Sequence, residues 1–128
     1  MIVVDTNVMV YLLTGAGPAA EAARLLRRDP AWASPPLLQS ELRDVMAGLI
    51  RQGRVEESDA VAICEDAEAI LGDRVASGPT APVLRTARES GLSAYDAEFV
   101  VLARTLGVPL MTADQAILEG APDVAVGL

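Results

Sequence analysis

Short apolar runs alternate with longer amphipathic stretches along this chain. Ile2-Val3-Val4 is a compact β-branched run, which predicts a buried strand. Asp5-Thr6-Asn7 follows and is placed to cap a helix over Val8 to Leu13. Pro18 suits the first turn of a helix reaching Arg28, and Asp29-Pro30 ends it. Ala31 to Ser34 predicts a second strand. Pro35-Pro36 opens a helix from Leu37 to Gln52, stopped by Gly53, and a further helix fits Glu57 to Leu71 before Gly72. Val75 marks a third strand. Thr80 to Ser90 reads as helix with Gly91 after its end. Ser93 caps a helix that runs to Leu106 and stops at Gly107. Pro109 to Thr112 predicts a fourth strand, Asp114 to Glu119 a helical turn, and Val124 to Val126 a last strand. This alternation predicts one α/β layer domain over residues 1–128, with a mainly parallel sheet of four to five strands. In such sheets ligands bind beyond the carboxyl ends of the strands. Asp5 and Asp114 stand at two of those ends.

Composition narrows the chemistry. The 128 residues are 52% hydrophobic, which excludes disorder, and no apolar run reaches the ~18 residues of a spanning helix. Met1 leads straight into the first apolar run, so no signal peptide and a cytoplasmic location are expected. There is no His, so no histidine base and no histidine zinc site. There is no Lys, which excludes a P-loop lysine and a Schiff base. The single Cys64 forms no disulfide within the chain and shares a helix face with Ala60, Val61, Ala67 and Leu71, a core pattern. Trp32, beside a predicted strand, is expected to pack rather than to stack on a base. What remains in quantity is carboxylate: eighteen acids against ten arginines give a net charge of −8.

Four acids stand out, each with a plain alternative. Asp5 and Asp114 suit helix caps, and Asp96 lies three residues after Ser93 in capping-box spacing. Glu41 lies inside its helix and caps nothing. On a helical wheel it falls at the edge of the stripe Leu37, Leu38, Leu42, Val45, Met46 and Leu49, with Arg43 and Asp44 on the polar face. Asp96 borders Val100 and Ala103, beside a face carrying Tyr95, Phe99, Leu102 and Leu106. A carboxylate aimed at a core is costly unless it is paired or bound to a cation. Two carboxylates ~4 Å apart repel by about 4 kcal/mol at an effective dielectric of 20. A hard divalent cation, Mg²⁺ or Mn²⁺, relieves that repulsion and clamps phosphate oxygens for in-line displacement.

The segments V-V-D-T-N-V at the start, S-E-L-R-D-V around Glu41, L-S-A-Y-D-A around Asp96 and L-M-T-A-D near the end resemble those of PIN-domain ribonucleases, specifically VapC-type toxins. The resemblance covers nearly the whole chain in order and length. It implies a three-layer α/β/α fold and a metal-dependent endoribonuclease with an acidic site of Asp5, Glu41, Asp96 and Asp114. Asp5 and Asp96 are then the surest metal ligands, with Asn7 and Thr112 supplying supporting hydrogen bonds. It also implies an RNA substrate, a VapB-type antitoxin as partner, and a homodimer. The absence of Lys departs from the usual means of meeting RNA. Arg43, Arg51 and Arg54 are the candidate phosphate contacts, although most of the ten arginines suit solvated faces.

Other parallel α/β classes fit less well. A response-regulator receiver uses a lysine near its phosphorylated Asp. A dehalogenase-like phosphatase uses a lysine too, and an Asp two residues after its nucleophile, where this chain has Asn7. A degenerate PIN domain acting as a non-catalytic RNA-binding or scaffold module is the remaining alternative. The presence of all four acids argues against it.

Overall fold

A computed structural model describes residues 1–128. Strands β1 (Ile2–Val4), β2 (Trp32–Ala33), β3 (Leu110–Thr112) and β4 (Ala125–Gly127) form one sheet in the order β2-β1-β3-β4. Every pairing is parallel, with Val3 opposite both Ala33 and Leu110, and Met111 opposite Val126. Helices α1 (Thr6–Thr14), α2 (Ala19–Arg28), α3 (Leu37–Arg51), α4 (Glu57–Leu71), α5 (Thr80–Ser90), α6 (Ala94–Leu106) and α7 (Gln115–Gly120) flank it in a three-layer α/β/α arrangement. β1 and β3 are buried along their whole length, as parallel strands covered on both faces must be. The core joins Val3, Val4, Trp32, Leu38, Leu42, Phe99 and Leu110. No helix is long and apolar enough to cross a membrane.

The order of the strands locates the site. The chain leaves β1 through α1 and α2 to reach β2 on one side, then returns past β1 to build β3 and β4 on the other. β1 and β3 therefore flank the switch point, where crevices open beyond the carboxyl ends of parallel strands. Asp5 follows β1 there, and Asp114 lies just beyond β3.

Most element boundaries agree with the hydrophobic pattern, and the differences have local causes. α1 starts at Thr6 rather than Val8, because Asp5 caps it by accepting from the Val8 amide at 3.0 Å. Asp114 caps α7 through the Ile117 amide at 3.1 Å, which makes a short helix of the expected turn. Val75 forms no strand. It makes a single parallel bridge to Ser34, so the sheet has four strands. Trp32 is fully buried in β2, as a packing residue would be. Cys64 is only half-buried, at the rim of a groove between α3 and α4. The face of α6 also differs from the wheel. Val100, Val101, Leu102 and Ala103 are buried, whereas Tyr95 and Leu106 are exposed.

Candidate active site

A cleft of about 390 Å³ opens at the switch point. Its walls include Asp5, Glu41, Asp96 and Asp114, the four acids singled out in the sequence, together with Asn7. The elements that bring them together are the first turns of α1, α6 and α7 and one face of α3.

Asp5 is 5% exposed and both its oxygens are engaged. Oδ1 accepts from the Val8 amide and Oδ2 from the Thr112 hydroxyl. The β1–β3 register, which pairs Val4 with Met111, brings Thr112 to that position. The same Thr112 oxygen accepts from the Asp114 amide at 2.9 Å, so one buried hydroxyl ties the two strand-end acids together. Asp114 spends Oδ1 on its cap. Capping and a functional role are compatible here, since a carboxylate has about four lone-pair sites on two oxygens.

Asp96 occupies the first turn of α6. The cap of that helix is the Ser93 hydroxyl, which accepts from the Asp96 amide at 3.1 Å, so the helix end does not depend on the Asp96 carboxylate. Glu41 is half-buried on α3, and its Oε1 accepts from the Thr6 hydroxyl at 2.7 Å. That bond fixes the carboxylate of α3 to the start of α1 across 35 residues of chain.

Crowding shows in the titration of two groups. Burial pushes the Asp5 carboxyl above its ordinary value; the Thr112 hydroxyl and Val8 amide pull it back, and the charges of Asp114 and Asp96 push it further up. Burial, and then the Asp114 charge, raise the Asp96 carboxyl against the opposing pull of Ser93. No arginine relieves this. The ion pairs of the chain engage Asp29, Glu21, Glu68, Glu89 and Asp123, none of them in the cleft. No Arg lines the cleft either.

The donor set, oxygen throughout and anionic, fits a hard divalent cation. No three of the carboxylates form a ready-made cage around an ion.

Sequence reasoning did not assign to the cleft the hydroxyl- or carboxyl-bearing Thr6, Ser40, Asp44 and Tyr95, nor the apolar Leu37, Val45, Phe99 and Ile117. Asp44 is a correction. Placed on the polar face of α3 by the wheel, it lines the cleft mouth. The signal was present, because Leu37, Ser40, Glu41, Asp44 and Val45 follow the i, i+3, i+4, i+7, i+8 rule for one helix face. The stripe Leu38, Leu42 and Met46 faces the core instead. The candidate phosphate contacts lie elsewhere. Arg43 lines the α3–α4 groove and pairs with Glu68 at 3.5 Å, while Arg51 and Arg54 are exposed at and just after the end of α3.

Comparison with known proteins gives consistent matches. The family model of the PIN domain matches residues 2–121. Ribonuclease VapC1 of Mycobacterium tuberculosis is 27% identical over 115 residues, covering 90% of this chain and 86% of the relative. The crystal structure of PAE2754 from Pyrobaculum aerophilum superposes with a TM-score of 0.78 at 24% identity, over 97% of this chain and 81% of that one. A toxin–antitoxin complex from Klebsiella pneumoniae superposes with a TM-score of 0.70 at 19% identity, over 98% and 96% of the two chains. These structural likenesses are likenesses of fold.

Proposed function

This chain belongs to the PIN domain family, and from that premise we propose that it is a metal-dependent endoribonuclease, a single PIN-like domain acting as the toxin of a VapBC-type pair. The observation that carries the reading is the convergence of Asp5, Glu41, Asp96 and Asp114 on one cleft that holds no compensating base. The name of the mycobacterial relative, a ribonuclease, supports the same activity.

In this reading Asp5 and Asp96 hold Mg²⁺ or Mn²⁺, with Asp114 and Glu41 completing the anionic wall. The cation supplies Lewis-acid activation of water and a clamp on the phosphate oxygens. The chain's own groups set the geometry. The Val8 amide and the Thr112 hydroxyl fix the Asp5 carboxylate, and Thr112 holds the Asp114 backbone in step with it. Thr6 binds one oxygen of Glu41, a residue of the cleft wall, and in this reading the Glu41 carboxylate would act as the base toward water. Asn7 lines the wall, and in this reading its amide is available as a supporting hydrogen-bonding group for what binds there. Arg43, Arg51 and Arg54 lie outside the cleft and are the contacts proposed for RNA phosphates beyond it.

Cleavage of single-stranded RNA in Mn²⁺ tests the role of Glu41. Glu41→Gln is expected to lower kcat by at least about an order of magnitude, in the range of a lost general base. Thr6→Val is expected to give a smaller loss, because the carboxylate remains but is no longer oriented. Asp66→Asn, on an exposed face of α4, is the control and is expected to cleave normally. Equal rates for Glu41→Gln and Asp66→Asn would remove Glu41 from the chemistry.

The toxin assignment has its own test. Expression of this chain alone is expected to slow bacterial growth, and co-expression of a VapB-type antitoxin from the same operon to restore it. The Klebsiella toxin–antitoxin complex, a solved protein of the same fold, supports such a partner. Asp5→Asn is expected to permit normal growth. Normal growth with soluble, RNA-cleaving wild-type protein would overturn the toxin role while leaving the nuclease intact. A homodimer in the cytoplasm belongs to the same reading, and sedimentation of the purified chain checks the dimer.

A further inference from the structure

The walls of the cleft carry five carboxylates, Asp44 included, and no basic residue. RNA binding ordinarily draws much of its affinity from arginine and lysine on phosphates. This cleft offers none, and a cation over Asp5 and Asp96 answers only the phosphates that touch it. Nucleotides seated within the cleft find no basic side chain there, so the contacts open to them beside the cation are uncharged groups on its walls.

The aromatic residues differ sharply in what they offer. Trp32 and Phe99 are fully or almost fully buried. Tyr11 is half-buried, packed on the core with its ring against Gly17. Tyr95 is 65% exposed, the most open large apolar side chain in the protein. It is also the one exposed aromatic on the cleft wall, directly before Asp96 and four residues before Phe99 on α6. An isolated exposed apolar side chain is ordinary. An open aromatic face beside a metal-ligand carboxylate, in a cleft without bases, is a stacking platform for a nucleobase.

We infer that Tyr95 binds RNA by stacking on a base next to the scissile phosphate. The inference deepens the ribonuclease reading above and rests on it. Stacking of this kind tolerates any base, because every base has a π face. Tyr95 therefore strengthens binding near the cut without choosing its sequence, and the contact is the same before and during the chemical step. Such uniform binding moves KM and leaves kcat alone.

The test uses the full chain in Mn²⁺ and a single-stranded RNA with a mapped cut. Tyr95→Ala is expected to raise KM by about tenfold, within the roughly 5- to 150-fold range of a lost base–aromatic stack, with kcat unchanged. Tyr95→Phe is expected to keep the wild-type KM. Replacing each nucleotide around the cut by an abasic site is expected to reveal one position that costs the wild type a similar factor and costs Tyr95→Ala nothing more. An unchanged melting temperature for Tyr95→Ala, expected for so exposed a side chain, excludes a folding effect. A wild-type KM for Tyr95→Ala, or an abasic penalty that persists undiminished in it, overturns the inference. So does a variant that cleaves normally but loses affinity for a VapB-type antitoxin, since the ring would then be a protein contact. Wild-type protein that cleaves no RNA in any divalent metal overturns the ribonuclease reading first and this inference with it.

Discussion

Replacing Asp5 or Asp96 by asparagine is expected to lower RNA cleavage by at least about two orders of magnitude while leaving the fold intact. Partners of metal ligands cost about 10- to 100-fold when lost, and a direct ligand costs at least the upper end of that range. The substitution is chosen for what it preserves. Asn caps helices about as well as Asp, so the bond to the Val8 amide at 3.0 Å survives in Asp5→Asn. Asp96→Asn leaves the Ser93 cap untouched, because that bond uses the Asp96 amide. What disappears in each variant is one negative charge from a cleft that contains no basic residue, and in Asp5→Asn the bond from the Thr112 hydroxyl must also reverse, the new amide donating to the Thr112 oxygen. Circular dichroism and melting curves check the fold, and cleavage rates under fixed Mn²⁺ and salt check the loss. Wild-type cleavage by either variant would remove that residue from the site.

The legibility of this site in the sequence followed from what kind of information each residue carried. Apolar runs and Gly or Pro stops placed α4 and α5 over the residues they occupy, Glu57–Leu71 and Thr80–Ser90. Strand ends then fixed where a parallel sheet opens its crevice, and Asp5 and Asp114 were already standing there. The choice between cap and functional group was a false one for both acids, since one oxygen of each caps its helix while the carboxylate still lines the cleft. Asp44 was misplaced for a different reason. A helical wheel resolves one apolar stripe on α3, whereas the helix has two inward faces, one toward the core and one toward the cleft. Thr6 carried no periodic signal, and the helical spacing of Tyr95 with Phe99, Leu102 and Leu106 pointed to the core, whereas Tyr95 is exposed on the cleft wall. The bond from Thr6 to Glu41 spans 35 residues of chain, and only the folded arrangement creates it. Val75 failed as a strand because it meets Ser34 through one bridge and has no second pairing to extend it.

Metal and stability are expected to be linked through the same carboxylates, with a sign that distinguishes a ligand from a structural acid. Asp5 and Asp96 both titrate above their ordinary values, chiefly through burial and then, with other acids around them, through like charge. The folded state therefore holds protons more tightly than the unfolded chain. In EDTA, stability is expected to fall as pH rises from the unfolded carboxylate pKa near 4 through the raised folded values, and to stay low at neutral pH. On the proposed metal site, Mn²⁺ bound by the folded state alone is expected to restore stability by mass action, about 2.7 kcal/mol at a hundredfold excess over Kd, a shift of roughly 10 °C in Tm for a domain of this size. Asp96→Asn then has two opposite consequences. In EDTA at neutral pH it is expected to melt above wild type and to lose part of the pH-dependent decline, because a buried, repelled charge is gone. In Mn²⁺ its gain is expected to shrink, because a ligand is gone with it. An acid serving only the fold would behave the other way, with the variant less stable in EDTA and its metal response unchanged. Melting curves of wild type and Asp96→Asn, each at acidic and neutral pH in EDTA and in Mn²⁺, separate these outcomes. A variant destabilised in EDTA with a wild-type response to Mn²⁺ would take Asp96 out of the metal site and leave it as part of the architecture of α6.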